Sequence, residues 1–134
     1  MKFLLDANFL MIPGKFKADV FRELEKFGKP ELFTLDLVVK ELSAISKGKS
    51  RDAFSAKLGL FFIQQKDIGI LESREATADH ELLRLSGEGY VVCTQDKALT
   101  AKIMKKGGHV IFLRQGKYLE LRPEGKAYKK SGKL

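Results

Sequence analysis

Cysteine is nearly absent: Cys93 is the only one in 134 residues. A disulfide framework and a Cys-rich zinc module are therefore excluded. Cys93 lies in an apolar run behind Val91 and Val92, so it reads as a buried, inert thiol, and no His/Asp partner pattern supports a Cys or Ser hydrolase. No stretch approaches the roughly 20 apolar residues of a membrane span. The first apolar segment is only a few residues long, too short for a signal peptide. These absences point to a cytoplasmic protein with no membrane partner. No internal repeat is visible, and nothing marks a second folded domain. Acids run short in one region only: residues 97–134 hold 11 Lys/Arg against 2 Asp/Glu, whereas residues 1–96 hold 14 against 15. The excess behind the net charge of +8 thus lies in the last third. A basic segment on a neutral domain is the electrostatic footprint of a polyanion partner; the bland alternative is a solvated tail.

What is present amounts to one ordinary domain, with a hydrophobic fraction of 44% and a charged fraction of 31%, long enough to bury a core without staples. Phe3, Leu4 and Leu5 form a continuous apolar run that stops at Asp6 and Asn8. Continuity rather than alternation predicts a strand buried on both faces. Further short strands are expected at 32–35, 68–71, 90–94 and 110–113, with a sixth, edge strand at 118–121. Helical spacing is expected over 18–27, 37–46, 53–65, 75–86 and 96–106, with Asp36 as the cap of the second. Pro13-Gly14 reads as a turn. In the third helix the apolar stripe runs through Phe54, Leu58, Phe61 and Phe62, with Gly59 weakening it. Strands separated by helices of about ten residues imply a central parallel sheet of about five strands, flanked on both faces.

Four acids then gather by position. Asp6 ends the first strand, Glu41 lies on the helix after the second, Asp79 in the first turns of the helix after the third, and Asp96 two residues past the fourth. Such β-to-α connections share one edge of a right-handed parallel sheet, where ligands bind. Converging carboxylates repel unless a cation is present, and hard oxygen donors suit Mg²⁺ or Mn²⁺, one or two ions. A metal held there suits hydrolysis of a phosphodiester, with Asn8 and Thr94 as supporting polar residues. For any single acid a helix-cap or solvated role competes.

Leu4-Leu5-Asp6-Ala7-Asn8, Asp36 to Glu41-Leu42, Ala78-Asp79 and Thr94-Gln95-Asp96 together resemble the PIN-domain ribonucleases, over essentially the whole chain. The stretches 8–13 and 117–123, with the Asp36/Glu41 spacing, are most similar to archaeal relatives of the Fcf-type enzymes that process small-subunit precursor rRNA. The polar, basic stretch 123–134 reads as a flexible tail, and the resemblance implies a PIN-like three-layer α/β/α domain over 1–122. It implies Asp6, Glu41, Asp79 and Asp96 as metal-binding and catalytic acids of a single-strand endoribonuclease, with precursor rRNA as partner and a homodimer as a common state. Ala7 stands where the family often has Thr, and His80 where a second Asp often follows. His80 changes the local charge and with it metal affinity or turnover.

RNA contacts are expected from Lys102, Lys105, Lys106, Arg114, Lys117, Arg122, Lys126, Lys129 and Lys130, with Tyr128 as a stacking residue. Tyr118 reads as a core or edge-strand tyrosine rather than a stacking residue. Other readings stay open: a toxin-type PIN ribonuclease, or an RNA-binding assembly factor with a silent site. A phosphatase is disfavoured, because Asn8 stands where its second acid belongs.

Overall fold

A computed structural model describes residues 1–124. Six strands form one sheet: β1 (Lys2–Leu5), β2 (Glu31–Leu35), β3 (Gly69–Leu71), β4 (Tyr90–Cys93), β5 (Val110–Arg114) and β6 (Tyr118–Arg122). Their order is β3-β2-β1-β4-β5-β6, with only the β5–β6 pair antiparallel. Helices cover both faces, giving the α/β layering expected. The tail expected over 123–134 falls almost wholly outside the described residues, as do Lys126, Tyr128, Lys129 and Lys130.

β1 occupies the centre because its side chains are apolar in both directions. Phe3, Leu4 and Leu5 are fully buried, and the strand pairs with β2 on one side and β4 on the other. The strand order reverses at β1, so its carboxyl end opens on a topological switch point. Asp6 sits there. Its N–H donates to the Cys93 carbonyl at 3.0 Å, ending the ladder, and the next residue starts a helix.

That helix and its successor differ from the expected turn. The chain forms two one-turn helices, α1 (Ala7–Leu10) and α2 (Ile12–Lys15), with Pro13 in the opening positions of α2. There a missing N–H costs nothing and the fixed φ suits a helix. The helix expected over 18–27 shortens to α3 (Val20–Leu24) followed by a 3₁₀ turn, Glu25–Phe27. α4 (Asp36–Ser46) and α5 (Arg51–Gln65) form a helical hairpin.

α5 corrects the sequence expectation. Its buried face is Ala53, Ser55, Ala56, Gly59 and Ile63, while Phe54 and Phe61 are 65% and 51% exposed. The reason is close approach. A Cβ on Gly59 would lie 3.1 Å from the Leu10 carbonyl oxygen, and one on Gly14 would lie 2.7 Å from the Ser55 Cα. Only small residues let α5 settle onto the backbone of α1 and α2, so the phenylalanines are turned outward. Gly14→Ala must push two backbones apart and is expected to cost about 1–3 kcal/mol. A urea unfolding curve checks this by a lower midpoint at unchanged slope.

The remaining helices are α6 (Ala78–Ser86) and α7 (Lys97–Lys105). α6 starts three residues later than the spacing suggested, because the Thr77 hydroxyl accepts the His80 N–H at 3.2 Å and sets the cap. No helix among the described residues is long and apolar enough to cross a membrane.

Candidate active site

Asp6 is the best-defined of the four acids. It is 6% exposed and caps α1: one carboxylate oxygen accepts the Ala7 N–H at 2.7 Å, the other the Thr94 hydroxyl at 2.7 Å. Burial pushes its pKa up to about 6, against the pull of those two hydrogen bonds, and the negative charges of Glu41 and Asp79 push the same way. Glu41, on the exposed side of α4, is likewise raised, first by partial burial and then by Asp79. Asp6 therefore feels the charge of Glu41 and Asp79, and Glu41 that of Asp79, although the three come from separate connections.

Asp96 joins through Thr94. The Thr94 hydroxyl oxygen accepts the Asp96 N–H at 3.1 Å and lies 3.3 Å from the Asn8 amide oxygen, which accepts the Gln95 N–H at 3.0 Å. Asp96 itself caps α7, accepting from the N–H groups of Ala98 and Leu99 at 2.9 and 3.1 Å. Asn8 and Thr94 thus knit the ends of β1 and β4 together beside Asp6 and Asp96.

Glu41 and Asp79 owe their place to two carboxylates the sequence did not single out for this task. Asp36, the first residue of α4 rather than its cap, accepts from Leu37 N–H at 2.7 Å and from Ser73 N–H and hydroxyl at 3.1 and 2.5 Å. It ties the helix of Glu41 to the loop that leads to Asp79. Glu81 grips the same loop. It is fully buried, accepts the Arg74 and Glu75 N–H groups at 3.1 and 3.2 Å, and takes a two-pronged contact from the Arg84 guanidinium at 2.8 and 2.9 Å. Arg84 above all, with those two N–H groups, holds the Glu81 carboxyl down at about 2. Two signals were legible: the i,i+3 spacing of Glu81 to Arg84, and a polar loop needing partners for its N–H groups. Gln95 was also missed: its amide accepts from Leu113 N–H at 2.7 Å and donates to Leu113 O at 3.3 Å, extending the ladder past the end of β4. His80 is exposed and its Nδ1 lies 3.0 Å from the Thr77 hydroxyl at its own helix cap.

Among the described residues no three acidic, His or Cys side chains lie close enough together to enclose a metal ion. The donor set nevertheless suits one. The groups are carboxylate oxygens, and Asp6 and Glu41 are pushed toward neutrality first by burial and then by neighbouring negative charge, the second of which a divalent cation would relieve.

The basic residues divide between the two ends of the sheet: Arg114 and Lys117 lie at the end of β5 that adjoins Gln95, whereas Lys105 and Lys106 close α7 and Arg122 pairs with Val110 at the opposite end. Lys102, Lys105, Lys106, Lys117 and Arg122 are exposed and Arg114 is half-buried. Two of the six are engaged internally: Arg114 reaches the Glu120 carboxylate at 3.0 Å, and Arg122 contacts the same group. Tyr118 is a partly exposed residue of edge strand β6, as its position implied.

Comparison with known proteins bears on the family and the fold. A family model described as a PIN like domain matches residues 3–116. The chain is similar to ribonuclease VapC4 of Methanocaldococcus jannaschii, at 29% identity over 127 residues, covering 90% of this chain and 95% of that protein. Its fold is similar to the solved structure of the PIN domain endonuclease Utp24, with a TM-score of 0.72, 20% identity and 90% of each chain covered.

Proposed function

The chain belongs to the PIN-like domain family, and from that premise we propose that it is a metal-dependent endoribonuclease acting on single-stranded RNA. One observation carries the reading. A buried carboxylate stands at the switch point of a largely parallel sheet, raised by its burial and by two further acids on the separate helices α4 and α6. Such a cluster is unfavourable as architecture and useful as chemistry. Asp6, Glu41, Asp79 and Asp96 would hold Mg²⁺ or Mn²⁺, which when bound supplies charge stabilisation for displacement at phosphorus. Asp6 is fixed by Ala7 on one carboxylate oxygen and Thr94 on the other, which leaves further acceptor capacity on each oxygen for a cation. Asp36 and Glu81 hold the loop that brings Asp79, and Asn8 and Thr94 hold the β4 end that brings Asp96.

The substrate we infer is precursor rRNA of the small ribosomal subunit, as for archaeal Fcf-type relatives. The basic last third and the stretch 117–123 support that choice. The similarity to ribonuclease VapC4 favours a second reading, a ribonuclease of toxin type with other RNA targets. End-labelled RNA spanning the mature small-subunit ends, an unrelated single strand and a duplex separate the two. Discrete metal-dependent cuts in the first alone support rRNA processing. Equal cutting of both single strands favours the second reading, and binding without cutting of any strand would contradict nuclease function.

RNA affinity should depend steeply on salt. About four phosphate contacts from the described cations that are not engaged internally imply a log–log slope near −2.8 for a single strand, or about fiftyfold weaker binding from 50 to 200 mM salt. Fluorescence anisotropy measures it, and a slope near zero would remove the basic segment from the interface.

A further inference from the structure

A cavity of about 310 Å³ opens between α7 and β5, lined by Thr94, Lys97, Thr100, Phe112, Arg114 and Gln115 among others. It adjoins the acids, because Thr94 both lines it and donates to Asp6 at 2.7 Å. Phe112 and Arg114 are two residues apart on one strand and so share a face of the sheet. An aromatic floor is thereby set beside cations: Lys97 is exposed at the start of α7, and the Arg122 guanidinium lies 6.0 Å from the centroid of the Phe112 ring. An apolar, partly aromatic cavity with positive charge at its rim suits a flat base carrying a phosphate.

We infer that this cavity is a nucleobase subsite: it receives one unpaired base of the RNA strand, next to the phosphodiester presented to Asp6, while Lys97 and Arg114 meet the flanking phosphates. The inference rests on the proposed nuclease reading and adds to it where the strand runs. It also limits sequence preference. The Gln95 amide at the cavity wall is engaged on both sides by Leu113, and the Thr100 hydroxyl donates to the Asp96 carbonyl at 2.9 Å. Only the second Gln95 amide N–H and the acceptor side of these oxygens are left for a base edge, so the subsite selects for the presence of a flat base more than for its identity.

The test uses the full chain and two readouts. First, single-stranded oligonucleotides carrying 2-aminopurine at successive positions are bound in EDTA. One position should show a distinct fluorescence change, lost in Thr100→Phe, which fills the cavity, and in Phe112→Leu, which keeps apolar volume but removes the ring. Second, an abasic site scanned along the strand should lower kcat/KM about tenfold at one position next to the cut, and Thr100→Phe should erase that sensitivity. Exchanging the base there among the four should change kcat/KM far less than removing it. Circular dichroism confirms that the variants fold, and the abasic scan on the unmodified protein needs no variant. Cleavage with a flat abasic profile and a uniform 2-aminopurine response would overturn the subsite while sparing the nuclease. A localised fluorescence change without cleavage in Mg²⁺ or Mn²⁺ would support the subsite and sink the nuclease reading.

Discussion

Asp6→Asn is expected to lower the single-turnover cleavage rate by about a thousandfold, as losing several kcal/mol of charge stabilisation implies, while making the metal-free protein more stable. The two effects have one cause. Asp6 in the folded protein titrates at about 6, against an ordinary 3.8. Between those values the folded state binds more protons than the unfolded one, so stability falls as pH rises from about 4 to about 6, and the loss is complete at neutral pH. A shift of that size corresponds to about 3 kcal/mol. An amide removes the charge and keeps the geometry: its oxygen can still accept the Ala7 N–H, and its nitrogen can donate to the Thr94 hydroxyl, which turns toward Asn8. Thermal melts in EDTA at pH 7.5 should therefore place Asp6→Asn several degrees above the unmodified protein. Below pH 4 the two should converge. A variant that loses activity and also melts lower at neutral pH would show that Asp6 is a structural cap.

Glu81→Ala should be the most destabilising single change at the cleft, at about 3 kcal/mol or on the order of 10 °C in Tm. Truncation leaves the Arg74 and Glu75 N–H groups without their acceptor and strips Arg84 of its buried partner. Glu88→Ala is the control, since it removes the other contact of Arg84 at an exposed carboxylate and should cost below about 1 kcal/mol. The pH dependence runs opposite to that of Asp6. Glu81 is held at about 2, against an ordinary 4.5, so its contribution is fully present above about pH 4.5 and is lost as pH falls toward 2. Because the loop it grips leads into the first turn of α6, where Asp79 lies, Glu81→Gln should also lose roughly 10- to 100-fold in cleavage rate, as supporting partners of ligands typically do. Equal melting and rates for the Glu81 and Glu88 variants would refute the positioning role.

The sheet was readable because its strands are short, apolar and spaced by helices. β1 in particular announces double-sided burial by having no polar alternate. The acids at the β-to-α connections were readable for the same reason: once the parallel order is inferred, their shared edge follows. α5 was not. Hydrophobicity alone favours Phe54 and Phe61 as the inward stripe, but what decides the packing is how near the helix must come to the Leu10 and Gly14 backbone, and that is a three-dimensional condition. α1 and α2 were hidden because one-turn helices carry too few residues to show a period, and Pro13 looks the same at a turn as at a helix start. Glu81 was hidden because an acid beside an arginine on a helix reads as a solvated pair. Its burial follows from the loop folding over it.

The most direct test is the single-turnover cleavage rate of a labelled single strand measured against Mn²⁺ concentration, beginning in EDTA. If the clustered carboxylates work by sharing a cation, the rate is at background in EDTA and rises to saturation with added metal. Undiminished cutting in EDTA, or none at any metal concentration, would contradict the account.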